Sequence, residues 1–215
     1  MAFPTSDKIK TAVITGNHPY EVPQFISLFR SLKSVDFYPQ YLENFTADLA
    51  NVREQYDVVL FYNMHMVLDN GPVQAALEKL GDTKQGIFCL HHGILSYPDW
   101  SVWSDVIGIT NRHFKYYPGE TVRVEIADPV HPITRGLQSW EINDETYAMD
   151  AATGADNHIL LTTNQPRSLP TLAWTRKYRN SPVFNLASGH GKETYGNPNF
   201  RLVVERGIQW LAGKI

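Results

Sequence analysis

Cysteine is almost absent from this chain of 215 residues, which contains only one. A single thiol cannot form an internal disulfide, so we expect a reducing compartment and a cytoplasmic location. No apolar run approaches the roughly 18–20 residues that cross a bilayer, and residues 1–10 are polar, unlike a secretory signal. The formal net charge of −3 gives no bulk attraction to nucleic acid or to an anionic membrane. Neither is therefore expected as a partner.

Several motifs of enzyme families are also missing. There is no GxSxG elbow of a serine hydrolase, and no HExxH or CxxC spacing marks a local metal site. Gly16 stands without the further glycines of a dinucleotide loop or P-loop, so no nucleotide cofactor is expected. Cys89 lies between Phe88 and Leu90 in an apolar run. We interpret it as a buried, unreactive thiol and not as a nucleophile.

The pattern of apolar residues favours a single α/β domain that spans residues 1–215. Short, uniformly apolar or β-branched runs alternate with helical periodicity in the first half, which is typical of a parallel sheet covered by helices. The predicted strands are 11–15, 36–42, 56–62, 86–90, 121–126, 159–163, 171–175 and 182–187. The predicted helical segments are 23–32, 48–53, 72–80, 96–109 and 200–211, and residues 142–147 are predicted to be a loop.

The central strand, within residues 86–93 (GIFCLHHG), is the most informative stretch. Its apolar run has no alternation, as expected of a strand that is buried on both faces. It ends in His91 and His92, and ligands of open α/β sheets bind beyond the carboxyl ends of the strands. His18 follows the first predicted strand and His190 follows a late one. We therefore expect His18, His91 and His190 to meet at one edge of the sheet, where they could hold a divalent metal, Zn²⁺ or similar.

Several blocks together resemble the trehalose-utilisation (ThuA-like) family: residues 14–20 (ITGNHPY), 86–93, 130–136 (VHPITRG), 143–147 (NDETY), 182–190 (PVFNLASGH) and 200–210. The resemblance implies a flavodoxin-like three-layer α/β/α sandwich with a mostly parallel sheet, as in class I glutamine amidotransferases. In those enzymes the central strand delivers a nucleophilic cysteine. Here His91 stands at the matching position, and an imidazole cannot form the glutamyl thioester. Glutaminase activity is therefore not expected.

The resemblance also implies a role in carbohydrate metabolism, on a keto-sugar or disaccharide derivative. A ketone acidifies the neighbouring C–H, so a metal at the three histidines could polarise the carbonyl while Glu145, His91 or His190 abstracts the proton. Such an enzyme would be a metal-dependent lyase, isomerase or hydrolase. Two alternatives stay open: a non-catalytic carbohydrate-binding or sensing domain, and a hydrolase with a metal-free His–Glu pair.

Polar and aromatic side chains near the proposed edge are the candidates for contact with a small-molecule carbohydrate. Aromatic rings stack on the flat faces of sugars, although aromatics more often serve the core. A second copy of the chain is a further possible partner, in a homo-oligomer. The expected substrate-binding residues are Asn17, Tyr20, His92, Trp100, His113 and Tyr147.

Overall fold

A computed structural model describes residues 7–49, 51–69 and 71–215. Residues 1–6, part of the polar N-terminal stretch noted above, lie outside the described residues. The strands are β1 Ile9–Thr15, β2 Val35–Tyr41, β3 Val58–Phe61, β4 Gly86–Leu90, β5 Lys115–Ile126, β6 Trp140–Ala148, β7 His158–Thr162, β8 Thr171–Tyr178 and β9 Ser181–Leu186. They form one sheet in the order β2-β1-β3-β4-β9-β8-β7-β5-β6.

The sheet has a parallel half and an antiparallel half. Neighbouring strands from β2 to β9 pair in parallel, whereas the pairs β9-β8, β8-β7, β7-β5 and β5-β6 are antiparallel. Only residues 179–180 connect β8 to β9, and so short a connection can join only antiparallel strands. The predicted α/β class is confirmed, with the difference that the sheet is mixed and not mostly parallel.

Helices cover both faces of the parallel half, because successive side chains of a strand point to opposite faces. On one face, the ring of Phe184 in β9 lies against Gly207, where an added Cβ would come within 2.4 Å of it. On the other face, Phe61 in β3 contacts Trp103 at 5.0 Å between ring centroids. The helices are α1 Val22–Ser31, α2 Leu42–Ala47, α3 Pro72–Leu77, α4 Ser101–Ile107, α5 Lys192–Gly196 and α6 Pro198–Leu211.

No helix within the described ranges has both the length and the apolar character needed to span a membrane. The longest, α6, instead buries one side, with Phe200, Val203 and Val204 inside the core. Its first turn is capped by Asn197, whose side chain accepts hydrogen bonds from two backbone amides. The helix is therefore an amphipathic element of the α/β fold, as its sequence pattern predicts.

Three predicted elements differ from the structure. The predicted helical turn at 48–53 is wrong: α2 ends earlier, because Asp48 adopts a left-handed φ of 47° and its carboxylate accepts from the amides of Val52 and Arg53. Helix α4 begins only at Ser101, after a 3₁₀ turn at His91–Leu95. The predicted loop at 142–147 is wrong and lies within β6, where positions 140, 142, 144 and 146 are buried. Its polar composition concealed the period of two that marks a strand.

Candidate functional site

A sharp turn at the carboxyl end of β4 presents two buried histidines. His91 has a φ of 51°, a left-handed conformation that strains a non-glycine residue by about 1–3 kcal/mol. Gly93 lies so close to β3 that an added Cβ would stand 2.2 Å from the carbonyl oxygen of Phe61. Any side chain at position 93 would therefore force the turn away from the sheet. The turn is thus held rigidly where ligands of α/β folds bind.

Backbone carbonyls fix the tautomers of His91 and His92. The Nδ1 of His91 lies 2.7 Å from the carbonyl oxygen of Ala187, and the Nε2 of His92 lies 2.6 Å from that of Tyr62. A carbonyl oxygen only accepts, so each of these nitrogens carries the hydrogen. Burial lowers the pKa of His91 well below 6.5 and that of His92 to about 3, so both rings are neutral. The other ring nitrogen of each, the Nε2 of His91 and the Nδ1 of His92, therefore carries a lone pair that can accept a hydrogen bond or bind a metal.

Two further histidines complete the cluster. His190 places its Nδ1 3.3 Å from the Nε2 of His91. The ring centroid of His18 lies 4.3 Å from that of His92 and 5.7 Å from that of His190. The structure thus brings together His18, His91 and His190, as the strand ends predict, and adds His92 between them.

Three of these rings could hold a metal ion. One ring nitrogen from each of His91, His92 and His190 lies within 4.8 Å of the others. Metal-bound histidines usually donate their second ring N–H to a carbonyl or carboxylate, as His91 and His92 do here. The Nδ1 of His92 is buried and has no hydrogen-bond partner among the described residues. The sequence assigned His92 to substrate and His18 to the metal, whereas the geometry places His92 in the set and His18 beside it.

Strand β6 brings a carboxylate and a phenol to the same rings. The Oε1 of Glu145 lies 3.5 Å from the Nδ1 of His190 and 3.8 Å from the Nε2 of His91. The hydroxyl of Tyr147 lies 2.6 Å from that Nε2, to which it donates. Burial raises the pKa of Tyr147 well above 10, so the hydroxyl keeps its proton. The imidazoles of His91 and His190, a carboxylate and a phenol therefore meet at one point.

Asp144, which the sequence did not single out, is buried behind Glu145. Its two oxygens accept from the backbone amides of Gly189 at 2.7 Å and His190 at 2.9 Å. Burial raises the pKa of Asp144 to about 6, although these amides favour the ionised form. The carboxyl thus connects β6 to the turn that carries His190. Reading positions 140–148 with a period of two would have placed Asp144 on the buried face.

An open pocket of about 470 Å³ lies beside the histidines. Of the predicted site residues, Tyr20, Glu145 and His190 line it. Tyr147 is buried and contacts His91, so it does not offer a free ring face. The full lining is Pro19, Tyr20, Glu21, Gly119, Asn143, Asp144, Glu145, His190, Gly191, Lys192 and Glu193.

The structure does not bring every predicted substrate-binding residue to this pocket. Asn17 is exposed at the end of β1, with a φ of 55°. Trp100 packs its ring against Tyr97 at 5.8 Å between centroids. His113 is exposed and lies 3.8 Å from the carboxylate of Asp99. Asn17, Trp100 and His113 are not among the described residues that line the pocket.

Solved structures with the same architecture include two ThuA-like proteins. One, from Parabacteroides merdae, has a TM-score of 0.75 at 18% identity, over 97% of this chain and 91% of that protein. The other, from Bacteroides uniformis, has a TM-score of 0.73 at 18% identity, over 98% and 94%. A glutamine amidotransferase from Thermotoga maritima has a TM-score of 0.54 at 10% identity, over 94% and 98%. These likenesses show a glutamine amidotransferase-like fold.

Comparison by sequence points to one family. A search of curated proteins found no significant match. The family model described as "ThuA: Trehalose utilisation" matches residues 17–211, a range that begins just after β1 and ends at the last residue of α6. It includes the four clustered histidines and both β6 residues that contact them. The chain therefore belongs to the ThuA family and has the glutamine amidotransferase-like fold.

Proposed function

We propose that this protein is a metal-assisted enzyme that abstracts a proton from a keto-sugar or related disaccharide derivative. One observation carries the proposal: two neutral, carbonyl-oriented histidines present ring lone pairs, that of His92 without a partner, in a cluster that also contains His190 and the carboxylate of Glu145. The family description, trehalose utilisation, supports a carbohydrate as the substrate class. The adjoining pocket has the size range of small-molecule sites.

The chemistry of the donor set fits a divalent cation. The Nδ1 of His92 is a buried, unpartnered polar atom, which is costly unless a ligand meets it. His91, His92 and His190 would hold the ion, and neutral imidazoles suit Zn²⁺ and related transition metals. When bound, such an ion supplies Lewis-acid polarisation of a carbonyl oxygen, worth several kcal/mol at a developing negative charge.

Glu145 is the general base of the proposed reaction. Its carboxylate lies at the pocket wall beside His190, and its side chain is only 10% exposed. The proton on the carbon next to the ketone passes to this carboxylate. The electron pair of that C–H bond becomes a C=C bond, and the carbonyl oxygen takes up the negative charge. A positioned general base typically contributes about 10²–10⁴-fold to a rate.

Tyr147 and His91 support this chemistry from behind the pocket. The hydroxyl of Tyr147 lies between His91 and Glu145, so Glu145 is its second available acceptor.

Cys89 is fully buried in β4, and burial raises the pKa of its thiol. A thiol in that state is not a nucleophile, so we propose that the protein has no glutaminase activity. A buried, free cysteine also accords with the cytoplasmic location that we propose.

The test combines metal analysis with turnover. Elemental analysis of the purified chain should find a divalent metal in stoichiometric amount. Turnover of a 3-keto-disaccharide should disappear with a chelator and return when Zn²⁺ is added. The Glu145→Gln variant should lose about 10²–10⁴-fold in kcat while keeping its metal. The matched control is Glu141→Gln, an exposed position on the same strand, which should leave turnover unchanged.

Each contrary outcome points elsewhere. Full turnover by Glu145→Gln would exclude Glu145 as the base. Sugar affinity that survives the chelator, without turnover of any keto-sugar, would favour a non-catalytic binding domain. Turnover that is insensitive to the chelator, together with no stoichiometric metal, would favour a metal-free His–Glu hydrolase.

A further inference from the structure

We propose that Asp144, Tyr62 and Tyr195 are positioning residues that hold His190 against His91 and Glu145; this inference rests on the proposed function of that cluster. None of the three would touch the reacting atoms. Asp144 bonds to the backbone amides of Gly189 and His190, and the two tyrosines bond to the carbonyl oxygens of the same residues. We refer to these three side chains as the 189–190 clamp.

The amide side of the clamp is Asp144. Its Oδ2 accepts from the amide of Gly189 at 2.7 Å, and its Oδ1 accepts from that of His190 at 2.9 Å. The same Oδ1 accepts from the amide of Glu145 at 3.0 Å. One carboxyl group therefore sets the distance between the two segments that carry His190 and the proposed base. Charge-assisted bonds of this kind are shorter and stronger than bonds between neutral groups.

The carbonyl side of the clamp is a pair of buried phenols. The hydroxyl of Tyr195 donates to the carbonyl oxygen of His190 at 2.7 Å, and that of Tyr62 lies 2.9 Å from the carbonyl oxygen of Gly189. The two hydroxyl oxygens are 2.5 Å apart. Each hydroxyl can therefore donate its hydrogen either to a carbonyl oxygen of the turn or to the other phenol oxygen. Both rings are almost fully buried, so water does not compete for the bonds.

The clamp matters because the side chain of His190 is the most exposed of the three proposed ligands. Gly189 has a φ of 131°, a region that glycine enters readily, and the side chain of His190 is 37% exposed. His91 and His92, by contrast, are buried and are oriented by carbonyls that bond to their own rings. The ring of His190 contacts the Nε2 of His91 and the carboxylate of Glu145, whereas the clamp fixes the backbone from which that ring projects. Tyr62 also connects the turn at residues 189–190 with the turn that carries His91 and His92, because its backbone oxygen accepts a hydrogen bond from His92.

The test uses the full chain, Co²⁺ as the metal probe, and two variants. Asp144→Asn replaces one acceptor oxygen by an NH2 donor, which then faces a backbone N–H that needs an acceptor. Tyr195→Phe deletes one hydroxyl with little change in shape. Each should weaken Co²⁺ binding by about 10–100-fold, the usual effect of losing an outer-shell partner. Each should also change the visible spectrum of bound Co²⁺ and move the imidazole ¹⁵N shifts of His190 toward those of exposed His113.

Matched controls separate positioning from general stability. Asp48→Asn removes a carboxylate that also accepts from two backbone amides, and Tyr38→Phe removes a phenol bonded to Asp36 at 2.8 Å. Neither Asp48 nor Tyr38 is among the residues that line the pocket. The two controls should leave Co²⁺ affinity and the His190 shifts unchanged.

The outcomes are distinguishable. If Asp144→Asn and Tyr195→Phe fold but keep wild-type Co²⁺ affinity and wild-type His190 shifts, the clamp is refuted. If the wild-type chain binds no Co²⁺, the proposed function fails, and the ¹⁵N shifts of His190 in the two variants still decide the clamp. If Asp144→Asn does not fold, Tyr195→Phe decides it in the same way.

Discussion

The two halves of the sheet contribute to the candidate site in different ways. In the parallel half, histidines follow the ends of β1, β4 and β9, where the backbone turns away from the sheet. In the antiparallel half, Asp144, Glu145 and Tyr147 come from the interior of β6. Histidines at strand ends meet because parallel strands finish at a common edge. The residues of β6 reach them only because the β5-β6 pair lies across that edge.

The largest expected effect tests whether stability resides in the parallel half. Phe88 in β4 is fully buried, and its ring lies 4.8 Å from that of Phe184. Phe88→Ala should lower the free energy of unfolding by about 3–5 kcal/mol, because a cavity is left in a core covered on both faces. Urea denaturation measures this loss. A loss below about 1 kcal/mol would contradict a core centred on β4.

The next prediction concerns the strand-end histidines. His91→Asn should reduce both metal content and turnover by more than about 100-fold, since losing a ligand exceeds the usual cost of losing an outer-shell partner. Asparagine tolerates the positive φ of this position better than most residues, so the fold should survive. Elemental analysis and kcat measure the effect, and exposed His113→Asn is the control. Retained metal would show that His91 is not a ligand.

The pH dependence of stability should also reflect the buried histidines. Burial lowers the pKa of His91 and His92 below 6.5, so below that pH the unfolded chain takes up protons that the folded chain does not. The free energy of unfolding therefore falls as the pH falls. The raised pKa of Asp144 acts in the opposite direction between pH 3.8 and about 6. Among these three groups, two histidines against one carboxyl amount to one net proton, a contribution of about 1.4 kcal/mol per pH unit.

Urea unfolding of the chelator-treated protein between about pH 6 and pH 4 measures this contribution, because in that range the two histidines are largely protonated in the unfolded chain and neutral in the folded one. His92→Gln keeps a donor for the carbonyl oxygen of Tyr62 but removes one titrating group. It should therefore change the slope of unfolding free energy against pH by about 1.4 kcal/mol per pH unit, the contribution of one proton. Stability that rises as the pH falls through this range would show that the histidines are not held neutral.

The smallest expected effect lies in the antiparallel half. Ile142 is buried on one face of β6, whose alternate residues are exposed. Ile142→Val should cost about 0.5–1.5 kcal/mol, well below the cost at Phe88, because one methylene is removed beside a partly open edge. The same urea measurement applies. A cost equal to that of Phe88→Ala would remove the contrast between the two halves.

The sequence predicted one half of the site better than the other. The uniform apolar run of β4 and the turn after it were recognisable, and so were His18, His91 and His190 at strand ends. Glu145 was selected although its segment was wrongly predicted to be a loop, and Asp144 beside it was missed. Tyr147 was expected to stack on a sugar but is buried against His91. The period of two in β6 places Asp144 on the buried face, but a local pattern does not report which distant residue a buried polar side chain contacts.

The sequence by itself therefore determined where the buried strands and the helices between them lie, and that histidines follow the strand ends. Apolar periodicity and strand ends are properties of residues that are neighbours in the sequence. Only the tertiary structure decided which histidines meet, which ring nitrogens carry hydrogen, and that Asp144 and Glu145 face the turn at His190. These depend on strand order and on contacts between segments 30 or more residues apart. Such contacts form when the sheet assembles, and no local pattern specifies them.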